Sequence, residues 1–286
     1  VREPQELVAL PSGSVLHIEG PADADPVLFL HGAAGGAWSW RPQRDAFAPA
    51  WRVCVWEARG HGAAARVADA GLADYYVDAH EALAGVIDLV RRPAFVVGHS
   101  LGGLLALALA CNVGAAVRGL FLIDPVYVTR NGRGIVPPAL ASVARALGAP
   151  LTGSIARNGA LGRAFVRWTF TTMFTDRARM EAAWSDQRAQ IPAEYPRILR
   201  EAVGGVEGSL LRDFAAEISE PAVLLASSNY GRLGDPAFVA TLSGRLGQHF
   251  RFERVAGGHY LQLDRPAVVN EHLRSFLETY GLSQAL

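Results

Sequence analysis

One stretch, Phe95 to Ala110, limits what this chain can become more than any other. Phe95-Val96-Val97 is a β-rich apolar triplet, Gly98-His99-Ser100-Leu101-Gly102 follows it, and Ser100 to Ala110 is then apolar nearly all round. A helix without a polar face has to be buried, and the strand that feeds it has to lie in the sheet that buries it. Glycines flank the serine because a β-carbon there would crowd so tight a turn. The predicted unit is strand, sharp turn, covered helix. It presents a serine hydroxyl at the sheet edge, at the positive end of the helix.

The same rhythm runs along most of the chain. Val27 to Leu30, Val53 to Trp56, Leu120 to Ile123, Val223 to Ala226 and Phe250 to Val255 read as short buried strands. Leu7 to Leu10 and Val15 to Glu19 flank Pro11-Ser12-Gly13-Ser14 and read as an opening hairpin. Tyr75 to Val90 reads as a helix, apolar at Val77, Leu83, Val86, Ile87 and Val90 and ended by Arg91-Arg92-Pro93; Ala237 to Leu246 and Pro266 to Tyr280 read as helices too. Such alternation predicts an α/β fold, a mostly parallel sheet of about eight strands flanked by helices. Residues 127–215 break the rhythm. Ala139 to Leu147, Arg163 to Phe174 and Met180 to Arg188 are helix-like there, and no convincing strand occurs. A structureless loop of that length is improbable, so a helical cap is expected after the sixth strand, on a core of residues 1–126 and 216–286.

Composition narrows the function. Half of the 286 residues are hydrophobic and 19% are charged, as in a packed globular protein. The 27 basic residues are balanced by 27 acidic ones, without the surplus that nucleic-acid binding needs. Every basic residue is arginine, which excludes Schiff-base chemistry, pyridoxal phosphate attachment and a P-loop lysine. Cys54 and Cys111 lie in apolar runs and read as buried free thiols. The longest apolar run, Leu104 to Cys111, is far short of the ~20 residues that span a bilayer, and the opening Val1-Arg2-Glu3-Pro4 has no apolar signal core. A cytoplasmic monomer or homodimer is expected, with a small-molecule substrate and no nucleic-acid or membrane partner. His31-Gly32-Ala33-Ala34-Gly35-Gly36 lacks the Gly-x-Gly-x-x-Gly spacing, and no histidine pair has a third partner at metal-ligand spacing, so neither cofactor nor metal is expected.

Four motifs stand in register along the chain: His31-Gly32, Arg59-Gly60-His61-Gly62, Gly98-His99-Ser100-Leu101-Gly102-Gly103 and Gly257-Gly258-His259. In this order and spacing they resemble the α/β-hydrolase superfamily over nearly the whole length. The resemblance implies Ser100 as nucleophile, His259 as the general base that takes its proton, and an oxyanion hole from the backbone N–H groups of Ala33 and Leu101. In most members the acid lies a little under thirty residues before the histidine, where this chain has Asn229, Tyr230 and Gly231. Two carboxylates remain: Asp124, 24 residues after Ser100, and Asp235, 24 residues before His259. Asp124 is preferred because some members place the acid there, and because Asp235-Pro236 is explained as a helix start.

Gly32, Trp38, His99, Tyr127, Trp168 and Tyr260 are the expected substrate-binding residues, with Phe170, Met173, Phe174 and Trp184 as further apolar side chains of the cap. The expected activity is hydrolysis of an ester or lactone of a mostly apolar small molecule through an acyl-enzyme. The same residues would serve a C–C bond hydrolase, or a cofactor-free lyase or perhydrolase. A ligand sensor with the cap as its switch is the reading from a different class. His17, His61, His80, His249 and His272 read as structural, and Arg130, Arg133, Arg163 and Arg167 as solvated.

Overall fold

In the computed structural model, which describes residues 6–33, 35–64, 70–125, 127–128, 134–135, 167–168, 170–187, 218–227 and 236–281, one eight-stranded sheet carries the molecule. Its strands are β1 (Glu6–Ala9), β2 (Val15–Glu19), β3 (Pro26–Leu30), β4 (Arg52–Glu57), β5 (Ala94–His99), β6 (Val117–Ile123), β9 (Ala222–Ser227) and β10 (Phe250–Val255). A separate two-residue ribbon pairs β7 (Tyr127–Val128) with β8 (Gly134–Ile135), antiparallel. The order across the sheet is β1-β2-β4-β3-β5-β6-β9-β10. β1, β2 and β4 pair antiparallel, and every pair from β4 to β10 is parallel.

Parallel strands covered on both faces have no polar side, and the central residues of the interior ones here are apolar for that reason. Leu28, Leu30, Cys54, Trp56, Val96, Leu122 and Leu224 point to one face. There they meet α2 (Leu72–Val90), α3 (Leu101–Val113) and α5 (Pro236–Leu246). Val27, Phe29, Val53, Val55, Phe95, Val97, Phe121 and Val223 alternate to the other face, against α1 (Arg41–Phe47) and α7 (Pro266–Gly281). α7 presents Val269, Leu273, Phe276 and Leu277, one helical stripe. Gly119 admits it closely, since a β-carbon there would stand 2.8 Å from the Phe276 ring.

Between β6 and β9 the described residues include α4 (Arg177–Gln187), and a short α6 (Leu261–Asp264) precedes α7. The ribbon β7–β8 corrects the expectation that residues 127–215 hold no strand. Two-residue strands are too short to show alternation in a sequence. Val77 is exposed, because the buried stripe of α2 starts earlier and runs through Leu72, Tyr75, Ala79 and Ala82. Cys54 is buried as expected, whereas Cys111, near the end of α3, is only partly so. No helix among the described residues is long and apolar enough to cross a membrane.

Candidate active site

The motif residues and Asp124 gather at one edge of the sheet, in the loops that follow the carboxyl ends of β3, β4, β5, β6 and β10. The chain turns one way from β3 to β4 and the other way to β5. Crevices for ligands open at such a switch point.

Ser100 stands between β5 and α3 with φ 53° and ψ −115°, a left-handed backbone rare for a residue with a side chain. Strain of this kind costs about 1–3 kcal/mol and persists only where the surroundings enforce it. The Ser100 N–H donates to the Ile123 carbonyl at 3.0 Å. A β-carbon at Gly98 would run into the carbonyl of Gly102, and one at Gly102 into the carbonyl of Leu30. At Gly103 it would come within 2.7 Å of Pro125 Cβ. Gly102→Ala is therefore expected to lower stability by about 2–3 kcal/mol, measured by denaturant unfolding. The obstacle is backbone, which no rotamer change relieves.

Asp124 follows β6, fully buried, with φ 41°. Its N–H donates to the Leu225 carbonyl at 2.9 Å. One carboxylate oxygen, Oδ1, accepts the Ser227 N–H at 2.7 Å, and Oδ2 accepts His259 Nδ1–H at 3.3 Å. A proton held on Nδ1 leaves the Nε2 lone pair of His259 able to act as a base. Ser227, the end of β9, escapes sequence reasoning because it contributes a backbone group. Asp235 lies outside the described residues.

His99 braces His259 from the other side. Its Nε2–H donates to the His259 carbonyl at 2.9 Å, and the two rings are 4.6 Å apart. His99 is 1% exposed, and burial holds its pKa well below 6.5, so it stays neutral.

The loop that carries Ala33 lies against the serine turn, for a β-carbon on Gly32 would stand 3.0 Å from Ser100 Cβ. His31 anchors it: Nδ1–H donates to the Gly32 carbonyl at 2.8 Å, and Nε2 accepts the Ala58 N–H at 3.1 Å. Leu101, the other expected oxyanion donor, is the first residue of α3. Beneath the loop, the buried Glu57 accepts from the N–H groups of Ala37 (3.0 Å) and Ala63 (2.7 Å) and from His17 Nε2 (3.0 Å). Burial pushes the Glu57 carboxyl up, but the hydrogen bonds outweigh it and bring the pKa from 4.5 to about 2. A carboxyl whose folded pKa is depressed stabilises the protein above its unfolded pKa and loses that contribution as pH falls through the folded one. Stability is thus expected to decline from about pH 4.5 towards pH 2. Glu57→Gln should be less stable at pH 7 by about 1–3 kcal/mol and lose less over that window, as read from denaturant melts across the pH range.

Beside His259, Tyr260 is stacked on Phe174 (5.3 Å, 12°) and lies 6.1 Å from Trp38, ring to ring. Phe170, Met173, Met180 and Trp184 complete the same buried cluster. Trp38 and Tyr260 are thus gathered with residues from between β6 and β9, whereas Trp168 is 57% exposed and stands outside the cluster. Tyr127 is placed only as a residue of β7. His61 packs as expected, 4.8 Å from the His31 ring, and Arg167 forms an exposed ion pair with Glu181. Among the described residues no group of His, Cys, Asp and Glu is arranged to hold a metal ion.

A family model described as the alpha/beta hydrolase family matches residues 27–272. A provisionally named carbamate hydrolase, RutD, from Variovorax paradoxus is 38% identical over 113 residues, which is 38% of this chain and 42% of that protein's length. The provisionally named RutD of Azorhizobium caulinodans is 26% identical over 269 residues, 91% of this chain and 94% of that protein. Among solved structures, the enol-lactonase from Burkholderia xenovorans LB400 aligns over 96% of this chain and all of its own, with a TM-score of 0.70 and 18% identity. At that identity the likeness is one of fold.

Proposed function

Because the chain belongs to the alpha/beta hydrolase family, we propose that it is a serine hydrolase cleaving a small carboxylic ester or lactone through an acyl-enzyme. The observation that carries the reading is the Asp124–His259 hydrogen bond, made at the same sheet edge as the strained turn of Ser100. In this mechanism Ser100 Oγ attacks the substrate carbonyl carbon while His259 Nε2 takes the hydroxyl proton. The N–H groups of Ala33 and Leu101 receive the charge that develops on the carbonyl oxygen. Collapse breaks the ester C–O bond, and His259 returns the proton to the departing alcohol. Water, deprotonated by the same nitrogen, then releases the acid. Asp124 orients the imidazole and stabilises its charged form.

Residues 127–215 act as the cap over Ser100 in this reading, and the cluster of Trp38, Phe170, Phe174 and Tyr260 favours an apolar substrate group. Trp168, being largely exposed, is the least supported of the proposed substrate contacts. Carbamates are a natural extension, since the RutD proteins bear that name and a carbamate presents the same kind of carbonyl.

Intact-mass measurement after treatment with an alkyl fluorophosphonate, beside p-nitrophenyl ester turnover, tests the proposal. One adduct, absent from Ser100→Ala, together with multiple turnover is the expected result. A folded protein that takes up no reagent, or takes it up elsewhere, would overturn the assignment.

A further inference from the structure

Asp264 ends α6 and is 1% exposed, with a hydrogen-bond donor at every side. Its Oδ1 accepts the N–H groups of Thr175 (3.1 Å) and Asp176 (2.9 Å). Its Oδ2 accepts the Gly258 N–H at 2.8 Å and the Thr175 hydroxyl. The first set belongs to the insertion, just ahead of α4, whose Arg179 N–H in turn donates to Asp176 Oδ1 at 3.1 Å. The second includes the residue immediately before His259. One carboxylate therefore ties two stretches of chain more than eighty positions apart.

The contact between those stretches has no slack. A β-carbon on Gly258 would collide with the backbone of Met173 and come within 2.7 Å of Phe174 Cα. The Tyr260 N–H donates to the Met173 carbonyl at 3.3 Å. Both neighbours of His259 in the chain, Gly258 and Tyr260, are thus held, one by Asp264 and one by the insertion itself.

On the reading of His259 as the base, we propose that Asp264 is a positioning residue, clamping the segment Met173–Asp176 to the histidine loop so that docking of the insertion and alignment of His259 form one unit. A carboxylate suits the task, since it accepts from N–H and O–H donors on both oxygens, which an amide cannot do. Burying a carboxylate is favourable only when it is so satisfied. The hydrogen bonds hold its pKa below the usual carboxylate range despite that burial.

Amide hydrogen exchange and ester kinetics on Asp264→Asn and Thr175→Val test the idea. Thr175→Val removes a single hydroxyl donor and is the milder variant should Asp264→Asn fail to fold. The expected result is faster exchange in residues 173–176 and in 258–260 together, with α7 unaffected. kcat should fall about 10- to 100-fold for Asp264→Asn, as for a misplaced catalytic group, and several-fold for Thr175→Val, with KM within about threefold in both. Exchange that quickens on only one side of the carboxylate, or variants that melt earlier but keep wild-type kcat, would overturn the proposal. The exchange readout needs no turnover, so a wild type inert to fluorophosphonate would sink the hydrolase reading while leaving the clamp to be judged on exchange alone.

Discussion

Ser100→Ala is expected to abolish ester turnover, lowering kcat by about 10^4-fold or more while the protein stays folded. The alanine keeps the β-carbon, so it asks nothing new of the φ 53° turn and leaves the surrounding glycines with the same neighbours. What it removes is the Oγ proposed to form the acyl bond. Among the described residues, His99 is buried and bonded to the His259 carbonyl, and the two cysteines lie in β4 and α3, so none of these three takes its place. Residual turnover near the wild-type level, by steady-state assay on the same ester, would mean that some other residue attacks.

Asp124→Asn is expected to come second, at about 10^3- to 10^4-fold in kcat. The size follows from the two bonds the carboxylate makes. Oδ1 takes the Ser227 N–H and Oδ2 takes His259 Nδ1–H, so both oxygens are acceptors. An amide offers one oxygen and one NH2. Turned one way, it opposes a donor to the buried Ser227 N–H, at a cost of about 1–3 kcal/mol. Turned the other way, it donates to Nδ1 and forces the proton onto Nε2, where the base should be. Thermal melts together with a pH–rate profile distinguish the two orientations, and Asp235→Asn serves as the comparison, expected to stay within about threefold of wild type. The reverse ranking of the two variants would transfer the acid's role to Asp235.

The sheet was legible in the sequence because its interior strands are buried on both faces. Val27 to Leu30 or Leu120 to Ile123 can be little else when glycine and polar residues bound them. The helix after Ser100 was legible for the same reason. α1 was not: in seven residues it buries only Gln43 and Phe47, too few for a period to emerge. At the site, Ser100 and His259 are marked by glycines that neighbouring backbone requires, and glycine patterns can be read from one sequence. The anchoring carboxylates cannot. Glu57 meets partners near His17, Ala37 and Ala63, and Asp264 meets Thr175 across the sheet edge, pairings that only the folded chain brings together. His99 shows the same limit, since its place beside the serine suggests substrate contact whereas its Nε2–H goes to a backbone carbonyl.

The two acceptor bonds of Asp124 also bear on the order in which a ribosome delivers the chain. Ser100 and Asp124 leave the exit tunnel close together, but Ser227 and His259 follow more than a hundred residues later. Until β9 and β10 join the sheet, the carboxylate has neither partner, and a charge buried without partners is strongly unfavourable. The carboxyl half of the sheet cannot close dry around Asp124 before the histidine arrives. On the proposed mechanism, a nascent or truncated chain without β9 and β10 would carry an unactivated serine.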